Sequence, residues 1–400
     1  MKKFILDESY YKSEMKKTVD IVIVGAGLVG LSLALSLQKT NLSIAMIEAK
    51  PAPTQNPETD ERALVLAAGS QRLFDSYQIW KSIEQDAVAL QDIHVSEQGH
   101  FGILKINAKQ EGVAALGYVV DANRLAQALY QEVVAQRNVI LLHEAFITNL
   151  QNDDHQSFIT VKIKGNEQQL QTDLIVAADG THSAVCELAG LPAKRWGEGY
   201  QSLVASVSVD RPTGIAYERF IKEGAIAMVP KKKNYKCICT LPTEQIKKLQ
   251  QLKKEVFLQQ IQQLFGYRLG RWLSIEKEQV FPLEIVKREK IVKPGLVVIG
   301  NAAHTVYPLA AQGFNLGLRD VAVLSDMIIA SRQANKNLGE LEVLQRYEKL
   351  RKKDQARVIQ FTENLLKFKH ARRWSLLGME LLPFVKHTLA RQNMGMLSRH

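Results

Sequence analysis

Cysteine is scarce in this chain: Cys186, Cys237 and Cys239 are the only three among 400 residues. Three thiols give no disulfide framework, and Cys237-Ile-Cys239 without neighbouring histidines reads as a buried pair rather than a metal site. Long apolar runs are also missing, and none approaches the roughly 18 residues that a spanning helix needs. The first eighteen residues hold only Phe4-Ile5-Leu6 as an apolar run, among Asp7, Glu8 and Glu14. They therefore match neither a secretory h-region nor an Arg-rich transit peptide, and are expected to form a tail ahead of a second start codon candidate at Met15. There are no internal repeats and no low-complexity segment. Together these absences point to a cytoplasmic protein.

Charge of one sign is in excess. Lys and Arg number 52 against 41 Asp and Glu, a formal net charge of +11. Such a balance admits nucleic acid, an anionic cofactor or an acidic membrane surface as partner. The basic residues are spread along the chain, however, and no nucleic-acid motif accompanies them, so nucleic acid is not expected. Lys231-Lys232-Lys233 lies between two strand-like runs and reads as a solvated hairpin turn. The hydrophobic share of 46% suits a globular enzyme.

Three regions read as parts of one nucleotide-binding sheet. Asp20-Ile-Val-Ile-Val24, a glycine turn, a helical stretch and Ser43-Ile-Ala-Met-Ile47 make a β-α-β unit. Asp173-Leu-Ile-Val-Ala-Ala178 and Gly295-Leu-Val-Val-Ile299 are two more continuous apolar runs, each ending in a glycine turn. A helix is expected from about Gln312. Unbroken runs of this kind mark parallel strands buried on both faces, whose carboxyl ends are where ligands bind. Residues around 200–285 alternate instead, as in Ser202 to Val209 and Tyr235 to Leu241, and predict an antiparallel sheet with one covered face. Leu125, Leu129 and Val133 predict a helix after Asp121. Leu341, Leu344, Tyr347 and Leu350 predict another in the tail.

Gly25-Ala-Gly27-Leu-Val-Gly30 is a G-x-G-x-x-G between a strand and a helix. Its glycines serve the tight turn, the approach to a pyrophosphate and close helix packing, and the helix N-terminus faces the phosphates. Glu48, at the end of the second strand, stands where a carboxylate accepts a hydrogen bond from an adenosine ribose. This motif alone leaves FAD and NAD as alternatives.

Two further segments carry a resemblance. Asp179-Gly180-Thr-His-Ser183 resembles the Asp-Gly motif of the flavoprotein aromatic hydroxylases. The stretch from Gly300-Asn301 through His304, Pro308, Gln312-Gly313 and Asn315 to Gly317 resembles their second flavin-binding motif. Asp60-Glu-Arg62-Ala-Leu64 is similar to their acidic-x-arginine-alanine element. Ala115-Leu-Gly-Tyr-Val-Val120, Ala178 to Ala184, Tyr217-Glu-Arg-Phe220 and Gly300-Asn-Ala-Ala303 further resemble the 2-polyprenyl-6-methoxyphenol hydroxylases of ubiquinone biosynthesis, which also have asparagine at the place of Asn301.

The resemblance implies an α/β protein of the p-hydroxybenzoate-hydroxylase type. It would have a Rossmann-like FAD-binding domain (19–75, 106–185 and 284–335), an interleaved mixed-sheet substrate domain (76–105 and 186–283) and a C-terminal helical region (336–400). FAD would be held by Gly25, Gly27, Gly30, Glu48, Arg62, Arg124, Asp179, Gly180, Asn301, Pro308, Gln312, Gly313 and Asn315. Pro308, Gln312 and Gly313 would run along the flavin ring, and no metal is implied. The implied reaction uses NAD(P)H and O2 to hydroxylate a polyprenylated phenol through a flavin C4a-hydroperoxide. Sister hydroxylases of other ring positions, hydroxylases of soluble aromatics and a flavin-binding scaffold of a ubiquinone-synthesis complex are the alternatives. His182 and His304 lie inside the motifs and are not expected to act as free-standing bases.

Two departures from the family pattern stand out: Cys186 where an arginine is common, and Ala311 where a glycine precedes Gln312. The tail segment from Trp374 to Val385 is apolar and flanked by Lys367, Lys369, Arg372, Arg373, Lys386 and Arg391. It fits either a peripheral contact at the inner face of the cytoplasmic membrane or with partner enzymes, or a helix packed on the protein's own core.

Overall fold

The computed structural model describes residues 18–53, 62–100, 102–152 and 156–367, with 387, 390, 391, 394 and 395 beyond them. The three apolar runs lie side by side. Leu296–Val298, Asn166–Ala177, Thr18–Val24, Ile44–Ile47 and Val139–Leu142 form a continuous parallel array in that order. Ile21, Ile23, Ile175, Val176 and Val297 are fully buried, as strands covered on both faces require. Ala177 pairs with both Val24 and Val298. That register brings all three glycine turns to one edge of the sheet.

The alternating region builds a second sheet. In spatial order its strands are His304–Thr305, Trp272–Arg288, Ala193–Val209, Asn234–Pro242, Gly224–Lys231, Ala216–Ile221, Asp92–Glu97 and Ile103–Asn107. Their pairing is antiparallel except between Ala216–Ile221 and Asp92–Glu97, which run parallel. The expected covered face is there: helices Thr243–Gln250 and Lys254–Phe265 bury Leu203, Leu241, Phe257 and Phe265 together with Cys237 and Cys239. Burial pushes the Cys239 thiol up to about 12, so these sulfurs are inert packing groups. Lys232 turns the hairpin with a positive φ of 55°. The turn is less free than its three lysines suggest. Lys231 pairs with Asp121 at 2.8 Å and Lys232 with Asp86 at 3.3 Å, which fastens the hairpin tip to two distant segments of the chain.

A three-stranded sheet, Ala63–Ala67, Gly117–Asp121 and Val88–Leu90, leads into the expected helix, Ala122–Val134. Asp121 caps it, accepting from the Asn123 and Arg124 amides. The helices Gln312–Gln333 and Leu341–Lys367 close the fold. The buried stripe of the latter differs from expectation: Leu350 is 49% exposed, and the stripe runs from Leu344 and Tyr347 on to Arg351 and Gln355, all buried. A row judged by apolar residues alone cannot contain an arginine, so sequence spacing chose the wrong neighbour. Ala390 and Met394 return to pack on Ala68, Leu104 and Leu116. The segment from Trp374 to Val385 lies outside the described residues. Among the described residues, no helix is long and apolar enough to cross a membrane.

Candidate functional site

The three turns meet atom to atom. Gly25 has φ 101°, and a Cβ there would press on the carbonyl of Ala178, the residue before Asp179. A Cβ on Gly30 would sit inside contact distance of the Gly25 carbonyl oxygen. Val29, between them in sequence, fills a notch floored by Gly300 and Gly317, where added Cβ atoms would stand 3.1 and 2.9 Å from its methyls. Thr181 and Thr305 share a hydrogen bond at 3.0 Å, joining the second turn to the third.

Open space and unspent polar groups gather along the same edge. Gly27 differs from its motif partners, since a Cβ there meets nothing within 4 Å. The helix it opens, Leu28–Ser36, has no side-chain cap, and neither does Gln312–Gln333. Both therefore direct the positive end of a helix dipole at this edge without a side-chain cap in front of it. Asp179 gives one oxygen to the Val185 amide at 3.2 Å, while its other oxygen is buried without a partner. Burial pushes this carboxyl above its ordinary value, against the hydrogen bonds of Ser183 and nearby amides. Gly180 follows with φ 86° and empty space where a side chain would go.

The remaining residues named from sequence divide by what they touch. Glu48 accepts from the Ala26 amide at 2.7 Å and the Lys50 amide at 2.9 Å. It thus braces the first turn and keeps lone pairs for a further donor. Arg62, just before the strand Ala63–Ala67, stands with its guanidinium 5.7 Å over the Phe281 ring of the second sheet. Arg124 pairs with Asp86 at 3.4 Å and donates to the Ser82 carbonyl. Asn301 is exposed within the short helical turn Gly300–Ala302. Pro308, Gln312 and Gly313 lie on the segment entering Gln312–Gln333, with Gln312 buried.

Asn315 has its whole amide engaged. Its oxygen accepts from the Ala67 amide and the Ser70 hydroxyl at 2.9 and 2.8 Å, and its nitrogen donates to the Val65 and Ala311 carbonyls at 2.8 and 2.7 Å. With two acceptor and two donor bonds made, the group is saturated. It holds the segment before the long helix in place. Ala311, in that segment, has a left-handed backbone with φ 50°, which explains why glycine suits the position.

Beneath the third turn lies a cluster that sequence reasoning missed. Asp320, fully buried, accepts from the Gly300 amide at 2.9 Å, from Arg351 Nε at 2.6 Å and from Gln355 at 3.2 Å, and lies 2.6 Å from His304 Nε2. Burial alone would raise its carboxyl. The opposing charges and hydrogen bonds of His304 and Arg351 more than offset this and hold it well below the usual carboxylate range. Arg351 continues to Asp354, which pairs with Arg319. The signal was present: an acid placed four residues from Leu316 and from Leu324, on the buried stripe of an apolar helix. His304 is accordingly held in this cluster and not free-standing. Cys186, where the family pattern has arginine, is buried, and its amide donates to Ser183.

Open glycine turns, two helix ends without side-chain caps and a half-buried acid with one oxygen unpartnered meet at one sheet edge, an arrangement that fits a dinucleotide. The sequence matches the family model described as "FAD binding domain" over residues 18–362, and the chain belongs to that family; FAD is its cofactor. Among curated relatives, the ubiquinone hydroxylase UbiL of Rhodospirillum rubrum is 30% identical over 95% of this chain and 90% of its own length. The 3-demethoxyubiquinol 3-hydroxylase of Escherichia coli is 30% identical over 84% of this chain and 86% of its own. The crystal structure of p-nitrophenol 4-monooxygenase PnpA from Pseudomonas putida superposes with TM-score 0.76 at 15% identity, covering 96% of this chain and all of that one. The fold is of the p-hydroxybenzoate-hydroxylase type.

Proposed function

We propose that this chain hydroxylates the aromatic ring of a polyprenylated phenol in ubiquinone biosynthesis, converting 2-polyprenyl-6-methoxyphenol to 2-polyprenyl-6-methoxy-1,4-benzoquinol with NAD(P)H and O2. The observation that carries the reading is the register Val24–Ala177–Val298, which gathers three glycine turns on one edge. The two relatives at 30% identity that bear ubiquinone-hydroxylase names support the substrate class. The second of those names specifies another ring position, and a sister activity at that position is the second reading.

Bound FAD supplies the redox chemistry: electrons from NAD(P)H and the activation of O2. The protein supplies placement and a dry site. In our reading Gly25, Gly27 and Gly30 pass the pyrophosphate close to backbone amides, with the helix end at Leu28 favouring its charge. Glu48 takes the adenosine ribose. Asp179 and Gly180 line the pyrophosphate and the nicotinamide approach, and Asn301 meets the ribityl chain. Pro308, Gln312 and Gly313 pass beside the ring, where the amides opening Gln312–Gln333 stabilise negative charge. Arg62 reaches the cofactor from the second sheet's side. Arg124 and Asn315 act at one remove, through Asp86 and through the Ala311 carbonyl. The dinucleotide-binding sheet then forms the cofactor domain, and the strands within 92–107 and 193–288 form the substrate wall. The basic, apolar tail segment is assigned to a peripheral contact with membrane or partner enzymes.

The test uses purified holoenzyme and follows NAD(P)H oxidation and O2 uptake. Short-chain 2-prenyl-6-methoxyphenol should stimulate both, simple soluble phenols should not, and the product's ring position follows from its NMR spectrum. Equal stimulation by simple phenols, or none by either, removes the ubiquinone reading. Quinone intermediates in a strain lacking the protein give the independent check.

A further inference from the structure

The second sheet has one face covered by its own helices and another turned toward the dinucleotide-binding part. On that second face one rung crosses five strands: Phe281, Ser202, Thr240, Ala225 and Phe220 stand directly opposite one another in register. Residues paired in this way point to the same side of a sheet. Both ends of the rung touch segments of the cofactor site. Arg62 stands over Phe281, and Phe220 and Ala225 pack with Tyr307 and Leu309 from the stretch that follows the third glycine turn. Ser202 lies inside the rung, 3% exposed, with no hydrogen-bond partner for its hydroxyl. Its neighbours on the rung offer hydrocarbon and aromatic surface, apart from Thr240.

A buried hydroxyl without a partner is unusual, because it has given up water and received nothing in exchange. We propose that the Ser202 hydroxyl hydrogen-bonds the ring oxygen of the aromatic substrate and so selects hydroxylated rings over bare ones. The inference rests on the reading of the chain as a phenol hydroxylase and adds the residue that recognises the phenol. A hydroxyl serves the purpose well, since it donates to a phenolate and either donates to or accepts from a phenol. The aromatic groups on the rung provide the low-polarity surroundings in which a single hydrogen bond discriminates strongly.

The experiment compares holoenzyme of wild type, Ser202→Ala and Ser202→Thr. Binding is read from the change in flavin absorbance on titration with a short-chain prenyl phenol and with the prenylbenzene that lacks the ring hydroxyl. One neutral hydrogen bond corresponds to about 3- to 10-fold in affinity. Ser202→Ala should therefore bind the phenol about 3- to 10-fold more weakly and the prenylbenzene as wild type does, with FAD affinity unchanged. Ser202→Thr, which restores the hydroxyl, should recover the preference. Equal losses for both ligands, no loss for either, or weakened FAD binding with the phenol preference intact would each overturn the proposal. If wild-type holoenzyme binds no phenol at all, the ubiquinone reading falls and the anchor with it. If wild type binds the phenol and Ser202→Ala matches it, the anchor alone falls.

Discussion

Glycine performs two different tasks within one short motif, and the space around each residue separates them. At Gly30 the demand comes from the protein itself, because an added methyl would collide with the Gly25 carbonyl. At Gly27 the backbone is extended, with φ −75° and ψ −179°, and the protein leaves the side-chain space open. Gly30→Ala should therefore destabilise the apoprotein, by about 1–3 kcal/mol as overpacking does. Gly27→Ala should leave apoprotein stability within about 1 kcal/mol yet lower FAD affinity at least about ten-fold, since the methyl enters the pyrophosphate's approach. Thermal unfolding of apoprotein together with flavin titration checks both, and an unstable Gly27→Ala apoprotein would contradict the assignment. Ala311 is the reverse case, an alanine held where glycine is at ease. A left-handed alanine costs roughly 1–2 kcal/mol, offset in part by the extra chain entropy of glycine. Ala311→Gly should thus raise stability by about 0.5–1 kcal/mol, visible as a higher unfolding temperature; a fall of the same size would show that the position is not strained.

The helix Gln312–Gln333 joins the third glycine turn to the last helix through one carboxylate. Asp320 unites the Gly300 amide, His304, Arg351 and Gln355, so its loss leaves Arg351 buried beside fewer acceptors. Breaking a buried pair by removing one partner costs about 3–5 kcal/mol, and Asp320→Asn should lose that much at neutral pH. The pH dependence has a definite sign. Asp320 is held below its unfolded value of about 3.9, so the unfolded chain binds the proton first. The stability it contributes is complete above that value and drains away as pH falls toward the lower folded value. The gap between wild type and Asp320→Asn in urea unfolding should narrow as pH falls below about 4. A gap independent of pH would mean that Asp320 is not the titrating group. This cluster also marks the limit of what spacing reveals. Continuous apolar runs announced the three parallel strands, and the spacing of Leu125, Leu129 and Val133 announced the helix after Asp121, because those signals are local. Asp320 and Arg351 lay inside stripes judged by apolar residues alone. Asn315 carried the family's pattern, but only the folded chain spends its amide on Ala67, Ser70, Val65 and Ala311.

At the scale of the whole molecule, distant segments are brought together by pairings that no local period encodes. Asp92–Glu97 joins the second sheet beside Ala216–Ile221, more than a hundred residues onward. The chain's end likewise returns, since the Met394 carbonyl accepts from the Gly69 amide at 2.9 Å and His387 lies 2.9 Å from buried Glu111. That return decides how membrane contact should be tested. A truncation before Trp374 would strip Ala390 and Met394 from Ala68 and Leu104 and expose a core surface, so any change in binding would be ambiguous. Replacing Lys367, Lys369, Arg372 and Arg373 with glutamine keeps the chain whole. Each basic residue near an anionic bilayer contributes about 1 kcal/mol, roughly five-fold in partitioning. The fourfold variant should therefore lose several hundred-fold in binding to phosphatidylserine-containing vesicles, and raised salt should weaken wild type in the same direction. Neutral vesicles should bind both proteins alike. If wild type ignores anionic vesicles at low salt, the cluster's charge serves something other than the membrane, and partner enzymes become the surface to search.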